Sequence, residues 1–138
     1  MKAMVFLIAL GLLGLTSCTS HTDLNKVAQN ANPLRLLLVK YYISNGQFPN
    51  QVDSLKSLDP NFRLDGVLWN GWNYIAYANW YKIWFYPART RQSLWLKLNV
   101  GSPSESGWFL HDEGGDFVRQ DIPLLPQEQQ LLRKGLAQ

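Results

Sequence analysis

The sequence predicts an α+β domain: an N-terminal helix packed on a four- to five-stranded antiparallel sheet, with a short helix at the C-terminus. Three observations carry this expectation. Apolar residues recur at helical spacing after Asn32-Pro33; from Gly66 onward the period changes to two; and glycine- and serine-rich tracts punctuate the second half at hairpin intervals. Helices followed by a meander of strands segregate onto one side of an antiparallel sheet. The 138 residues are 46% hydrophobic and 17% charged, enough to bury one core of ordinary size and too apolar for a disordered tail.

Met1-Lys2 gives a short positive start, and Ala3 to Leu15 is an uncharged apolar run. As a helix that run covers about 20 Å, short of the roughly 30 Å hydrocarbon core, so it suits a signal peptide better than a permanent span. It ends in Leu15-Thr16-Ser17-Cys18, which resembles the lipobox of bacterial lipoproteins. The resemblance implies a diacylglycerol on the Cys18 thiol, cleavage before Cys18, and acylation of the new amino group with a palmitate-type chain. At about 0.8 kcal/mol per buried methylene, several such chains hold a soluble domain on a membrane durably. The alternative is an ordinary secretory signal, which would leave Cys18 as an odd free thiol in an oxidising compartment. Thr19 stands where aspartate favours inner-membrane retention, so the resemblance implies the periplasmic face of the outer membrane. Residues 1–17 are thus expected to be a lipoprotein signal peptide, 18–32 a lipid-anchored tether with a first helical stretch, and 33–138 a single globular domain.

Asn32-Pro33 reads as a helix start, with Asn32 as N-cap and Pro33 in the first turn. Leu34, Leu37, Leu38 and Tyr41 follow at helical spacing, and Leu36, Val39 and Ile43 widen the apolar surface to nearly all sides. Helix 33–45 is therefore expected to be buried, with Arg35 and Lys40 reaching outward and Gly46 as its left-handed C-terminal stop. A short helix is expected at 51–58, capped by Asn50, with Val52, Leu55 and Leu58 turned inward. Leu94, Leu96, Leu98 and Val100 alternate with Ser93, Trp95, Lys97 and Asn99 as a half-buried strand. Further strands are expected at 82–86, 74–81, 108–111 and 117–122, with loops at Gly101 to Gly107 and Gly114-Gly115. Pro126 starts a last helix carrying Leu131 and Leu132 and closed by Gly135.

Lys40-Tyr41-Tyr42-Ile43-Ser44-Asn45-Gly46-Gln47-Phe48-Pro49, followed by Val52, Leu55 and Leu58, resembles type IV pilins and the pseudopilins of type II secretion. In those proteins a helix ending in tyrosines is followed by such a glycine, aromatic and proline, a short helix, and an antiparallel sheet packed on the first helix. The resemblance implies a pilin-like globular domain rather than a filament subunit, because the long apolar pilin helix has no counterpart here. Pilotins, small α+β lipoproteins that carry a secretin to the outer membrane, are a second class compatible with the anchor, with no motif here that singles them out.

Chemistry is sparse. The single cysteine excludes a disulfide framework, a cysteine-based zinc site and an iron–sulfur cluster. His111-Asp112-Glu113-Gly114-Gly115-Asp116 lacks calcium-loop order and a second histidine, and reads as a solvated hairpin turn; His21 falls in the tether. There is no nucleophile elbow, phosphate loop or dinucleotide fingerprint, so no enzyme, cofactor or metal is expected. All six tryptophans fall between Trp69 and Trp108. If Leu94, Leu96, Ile83 and Phe85 face the helix, then Trp84, Tyr86 and Trp95 line the opposite face, either as a docking surface or beneath the C-terminal helix or the 59–73 loop. Arg89 and Arg91, with Lys82 and Lys97 nearby, form either a basic rim or a solvated turn. A formal net charge of +3 is too small for a nucleic-acid footprint, so nucleic acid is not expected. The expected function is a non-enzymatic protein-interaction or assembly module of a secretion or pilus system, pilin-like or pilotin-like. Trp84, Tyr86 and Trp95 are its contact anchors and Arg89 and Arg91 its rim charges. The membrane is met through the N-terminal lipid, the partner is a protein, and a glycan is an alternative ligand. The alternative function is a periplasmic inhibitor or immunity lipoprotein that neutralises a cell-wall- or membrane-attacking enzyme.

Overall fold

A computed structural model describes residues 23–62, 72–86, 91–112 and 114–136. Residues 1–22, with the signal segment, Cys18 and His21, lie outside the described residues, as do Arg89 and Glu113. The elements are helices α1 (Leu24–Gln29) and α2 (Asn32–Asn45), strands β1 (Trp72–Tyr77), β2 (Trp80–Phe85), β3 (Ser93–Asn99), β4 (Gly107–His111) and β5 (Phe117–Gln120), and helix α3 (Pro126–Leu136). Short 3₁₀ turns sit at Val52–Ser57 and Pro103–Glu105. The architecture is α+β, with five antiparallel strands in the order β1-β2-β3-β4-β5 and a short C-terminal helix. No helix among the described residues is long and apolar enough to cross a membrane.

Asp23 caps α1, its carboxylate accepting from the Asn25 and Lys26 N–H groups at 3.1 and 3.4 Å. Asn32, expected as a cap, is instead the first residue of α2. Ala31 precedes it in helical conformation, because α1 runs almost directly into α2, and the Asn32 side chain is spent on Arg35 (3.0 Å). Gly46 ends α2 at φ 72°, a left-handed conformation that glycine adopts without a Cβ clash. The following 3₁₀ turn is preceded by Gln51 rather than capped by Asn50, and Leu58 lies past its end, 37% exposed rather than turned inward.

One core joins the helices to one sheet face. Ala28, Ala31, Leu34, Leu37, Leu38 and Val39 meet Trp72, Tyr81, Ile83, Leu94, Leu96, Leu98 and Trp108, with Tyr41 and Phe85 packed against them. The inward parity of β2 and β3 is the expected one. Ile43 departs from the all-round burial expected of α2 and is 67% exposed. Phe48, just past Gly46, folds back onto α2 and the sheet, its ring 4.6 Å from Tyr42 and 4.9 Å from Tyr81.

Arg35, expected outside, is buried against Glu128 of α3, and its guanidinium lies 5.1 Å from the centre of the Trp108 ring. The segment 74–81, expected as one strand, is a hairpin turning at Ala78-Asn79. Ala78 takes φ 43°, unusual for a residue with a Cβ. The turn is clamped from both sides: the Phe48 N–H donates to the Ala78 carbonyl and the Val100 N–H to the Asn79 carbonyl, each at 2.8 Å. Gly135 does not close α3; it lies within the helix, where it lets the helix pass the Val100 carbonyl.

Candidate functional site

Strand register sets the face opposite the helices. Side chains alternate along a strand, so the residues skipped by the core share the other surface. Asn73, Trp84, Trp95, Phe109 and Arg119 stand in one row across all five strands. A neighbouring row runs Ile75, Lys82, Lys97 and Gly107, and on the other side Ser93, His111 and Phe117 follow. This face is therefore aromatic along one line and cationic along the next.

Trp84 and Trp95 stack with ring centres 4.5 Å apart and planes 10° from parallel. The Trp95 Nε1–H donates to Ser93 Oγ at 2.7 Å, which fixes the orientation of that indole. His111 and Phe117 stand T-shaped to Trp95, ring centres 6.2 and 5.7 Å away, and their own ring centres lie 4.2 Å apart. Trp84 and Trp95 are half-buried, whereas Phe117 is 54% exposed.

The cationic row is built rather than incidental. Lys97 Nζ donates to Glu105 Oε2 at 2.7 Å, and Asn99 Nδ2 donates to the same oxygen at 3.1 Å. These hydrogen bonds and the lysine charge hold the Glu105 carboxyl below its ordinary pKa. Arg119 crosses from β5 over β4, its guanidinium 4.8 Å from the centre of the Phe109 ring. It donates to the Ser106 and Ser104 carbonyls at 2.8 and 3.1 Å. Gly107 leaves room for that crossing. A Cβ there would fall 2.4 Å from an Arg119 terminal nitrogen, and its φ of 148° disfavours any side chain. A cleft of about 430 Å³ on this face is lined by Trp95, Phe109 and Phe117 together with Lys82, Lys97 and Arg119.

Of the residues expected to form a docking surface, Trp84 and Trp95 are brought together. Tyr86 lies one position past β2, 55% exposed, and Arg91 is exposed ahead of β3. Helix α3 does not cover this face. Its Glu128 accepts from Tyr81 on the opposite, helix-bearing side. The 59–73 loop, the other candidate cover, falls largely outside the described residues. Phe109, Phe117 and Arg119 were not singled out from sequence. Their alternation with Trp108 and Val118 was visible, but only the β3-β4-β5 register places them beside Trp95.

The His111–Asp116 segment is the β4–β5 hairpin. Asp112 Oδ1 accepts from the Asp116 N–H at 3.2 Å, the Gly115 N–H donates to the Asp112 carbonyl at 3.2 Å, and Gly115 turns at φ 89°. Among the described residues no three histidine, cysteine, aspartate or glutamate side chains gather to hold a metal. Compared with protein-family models, curated proteins and solved structures, the chain matches none.

Proposed function

We propose that this chain is a lipid-anchored, periplasm-facing protein of the outer membrane that acts without catalysis, as a docking module in a secretion or pilus assembly. The observation that supports it is the row Trp84-Trp95-Phe109-Arg119 on the sheet face that no helix among the described residues covers. Aromatic and arginine side chains dominate protein interfaces, because they combine large buried area with few rotors or with planar donors. Tyr86 and Phe117, beside the half-buried row, are more than half exposed, and such apolar area next to a row of aromatics suits a partner's surface. The anchor rests on Leu15-Thr16-Ser17-Cys18, and the assembly context on the pilin-like segment ending at Phe48-Pro49.

Crosslinking in native envelopes, followed by capture through an epitope on the C-terminus, tests the reading. Recovery of secretin or pilus components, lost in the Trp84→Ala/Trp95→Ala variant, is the expected result. Recovery of a muramidase or toxin would favour an inhibitor instead, and capture indifferent to both tryptophans would remove this face as the site. Mass spectrometry of the mature N-terminus checks the anchor: an intact Met1 or an unmodified Cys18 thiol overturns it.

A further inference from the structure

The charges beside the aromatic row specify a partner more narrowly than the aromatics do. Lys82 and Lys97 stand directly opposite each other on β2 and β3, an arrangement of like charges that costs stability in a sheet. Glu105, the one carboxylate among the described residues lining the cleft, is already engaged by Lys97 and Asn99. Arg119 adds a third cation, and among the described residues its polar partners are carbonyls rather than carboxylates. Two of its five N–H donors are spent there, and the absence of a Cβ at Gly107 leaves the guanidinium room.

The cations discriminate between ligand classes. A neutral sugar would stack on Trp95 as readily as a side-chain ring does, but it leaves Lys82 and Arg119 without an opposite charge. A peptide fits better. Alternate side chains of an extended chain recur about every 7 Å, which is also the spacing between the tryptophan row and the lysine row along β2 and β3. We propose that the cleft binds an extended acidic peptide segment with an aromatic side chain two positions from an aspartate or glutamate. The ring would lie against Trp95 and Phe117, and the carboxylate between Lys82 and Arg119. This inference rests on the docking-module reading and names the chemistry of its partner.

Fluorescence anisotropy of the full chain in detergent micelles tests it, with a labelled peptide carrying Phe-Xaa-Glu flanked by further acids and the same peptide with every carboxylate replaced by its amide. The acidic peptide is expected to bind at least about tenfold tighter at low salt, the gap narrowing as salt screens the charges. Lys82→Gln and Arg119→Gln should each shrink the gap, while Trp95→Ala weakens both peptides alike. Lys82 makes no backbone bridge like that of Arg119, so its variant keeps the test independent of any folding defect in Arg119→Gln. Equal binding of the two peptides, or a gap unchanged in both charge variants, overturns the proposal. So does displacement by an N-acetylglucosamine oligomer or a single-stranded oligonucleotide at lower concentration than by unlabelled acidic peptide. If native capture survives Lys82→Gln/Arg119→Gln but not Trp84→Ala/Trp95→Ala, the acidic assignment falls while the docking module stands; survival in both overturns the module itself.

Discussion

Arg35 and Glu128 form a two-pronged ion pair in the protein interior, Nε to Oε2 at 3.0 Å and a terminal nitrogen to Oε1, joining α2 to α3 across 93 positions of sequence. The same carboxylate accepts from Tyr81 at 3.1 Å and from the Leu125 N–H at 2.8 Å. The last bond is half of a capping box, with Glu128 at the third position of a helix that Pro126 begins. Glu128→Ala therefore strands a buried guanidinium and is expected to cost about 3–5 kcal/mol in urea unfolding. Arg35→Met combined with Glu128→Leu removes both charges and should cost less than Glu128→Ala alone. The reverse order would show that the pair itself, not the stranded charge, dominates.

Burial, together with the Glu128 charge, pushes the Tyr81 phenol well above its ordinary value of 10.0, and burial also raises Tyr74. The unfolded phenols ionise near pH 10 while the folded ones stay neutral. Their contribution is thus fully present below pH 10 and is lost as the pH rises through the folded values. Stability measured across pH 9 to 12 should fall more steeply in the wild type than in Tyr81→Phe, by at most about 1.4 kcal/mol per pH unit for that one phenol. Parallel slopes would refute the linkage.

Leu96 and Trp95 are neighbours on β3 with opposite fates, one fully buried and the other half-buried on the solvent side. Leu96→Ala should cost about 2–5 kcal/mol, as should Leu38→Ala on the facing helix. Trp84→Ala should lose about 0.5–1.5 kcal/mol for the ring pair, together with a limited area term, and so stay below Leu96→Ala. Chemical denaturation of the three variants decides the assignment of faces. A larger loss at Trp84 than at Leu96 would reverse it.

Much of this was legible in the sequence where period and chemistry agree. Leu94, Leu96 and Leu98 alternating with Trp95 and Lys97 fixed both a strand and its two faces, and Gly46 marked the end of α2. Legibility failed where a distant partner decides. A lone arginine at position 35 reads as a solvated helix residue, because nothing nearby announces Glu128 on another helix. The Ala78-Asn79 turn carries no glycine and is held by the Phe48 and Val100 N–H groups, so a local reading runs one strand straight through it. Phe109 and Arg119 became part of the candidate site only through register, a property of paired strands rather than of any single one.

Gly135 gives a prediction whose sign depends on packing. In an exposed helix interior, glycine to alanine stabilises by roughly 0.5–1 kcal/mol, because alanine has less backbone freedom to lose. Here a Cβ at position 135 would lie 2.8 Å from the Val100 carbonyl oxygen and 3.0 Å from a Val100 methyl carbon. The carbonyl belongs to backbone that cannot swing away, since the Val100 N–H is itself bonded to Asn79 at 2.8 Å and so tied to the β1–β2 turn. The helix would have to lift, loosening Leu131 and Leu132 in the core and straining the Arg35–Glu128 junction two turns earlier on the same face. Overpacking of this kind typically costs about 1–3 kcal/mol, which exceeds the propensity gain. Gly135→Ala should thus lower the urea midpoint, whereas Gln130→Ala, exposed on the same helix, should leave it nearly unchanged. A stabilised Gly135→Ala variant would mean that α3 sits farther from the end of β3 than the 2.8 Å approach requires.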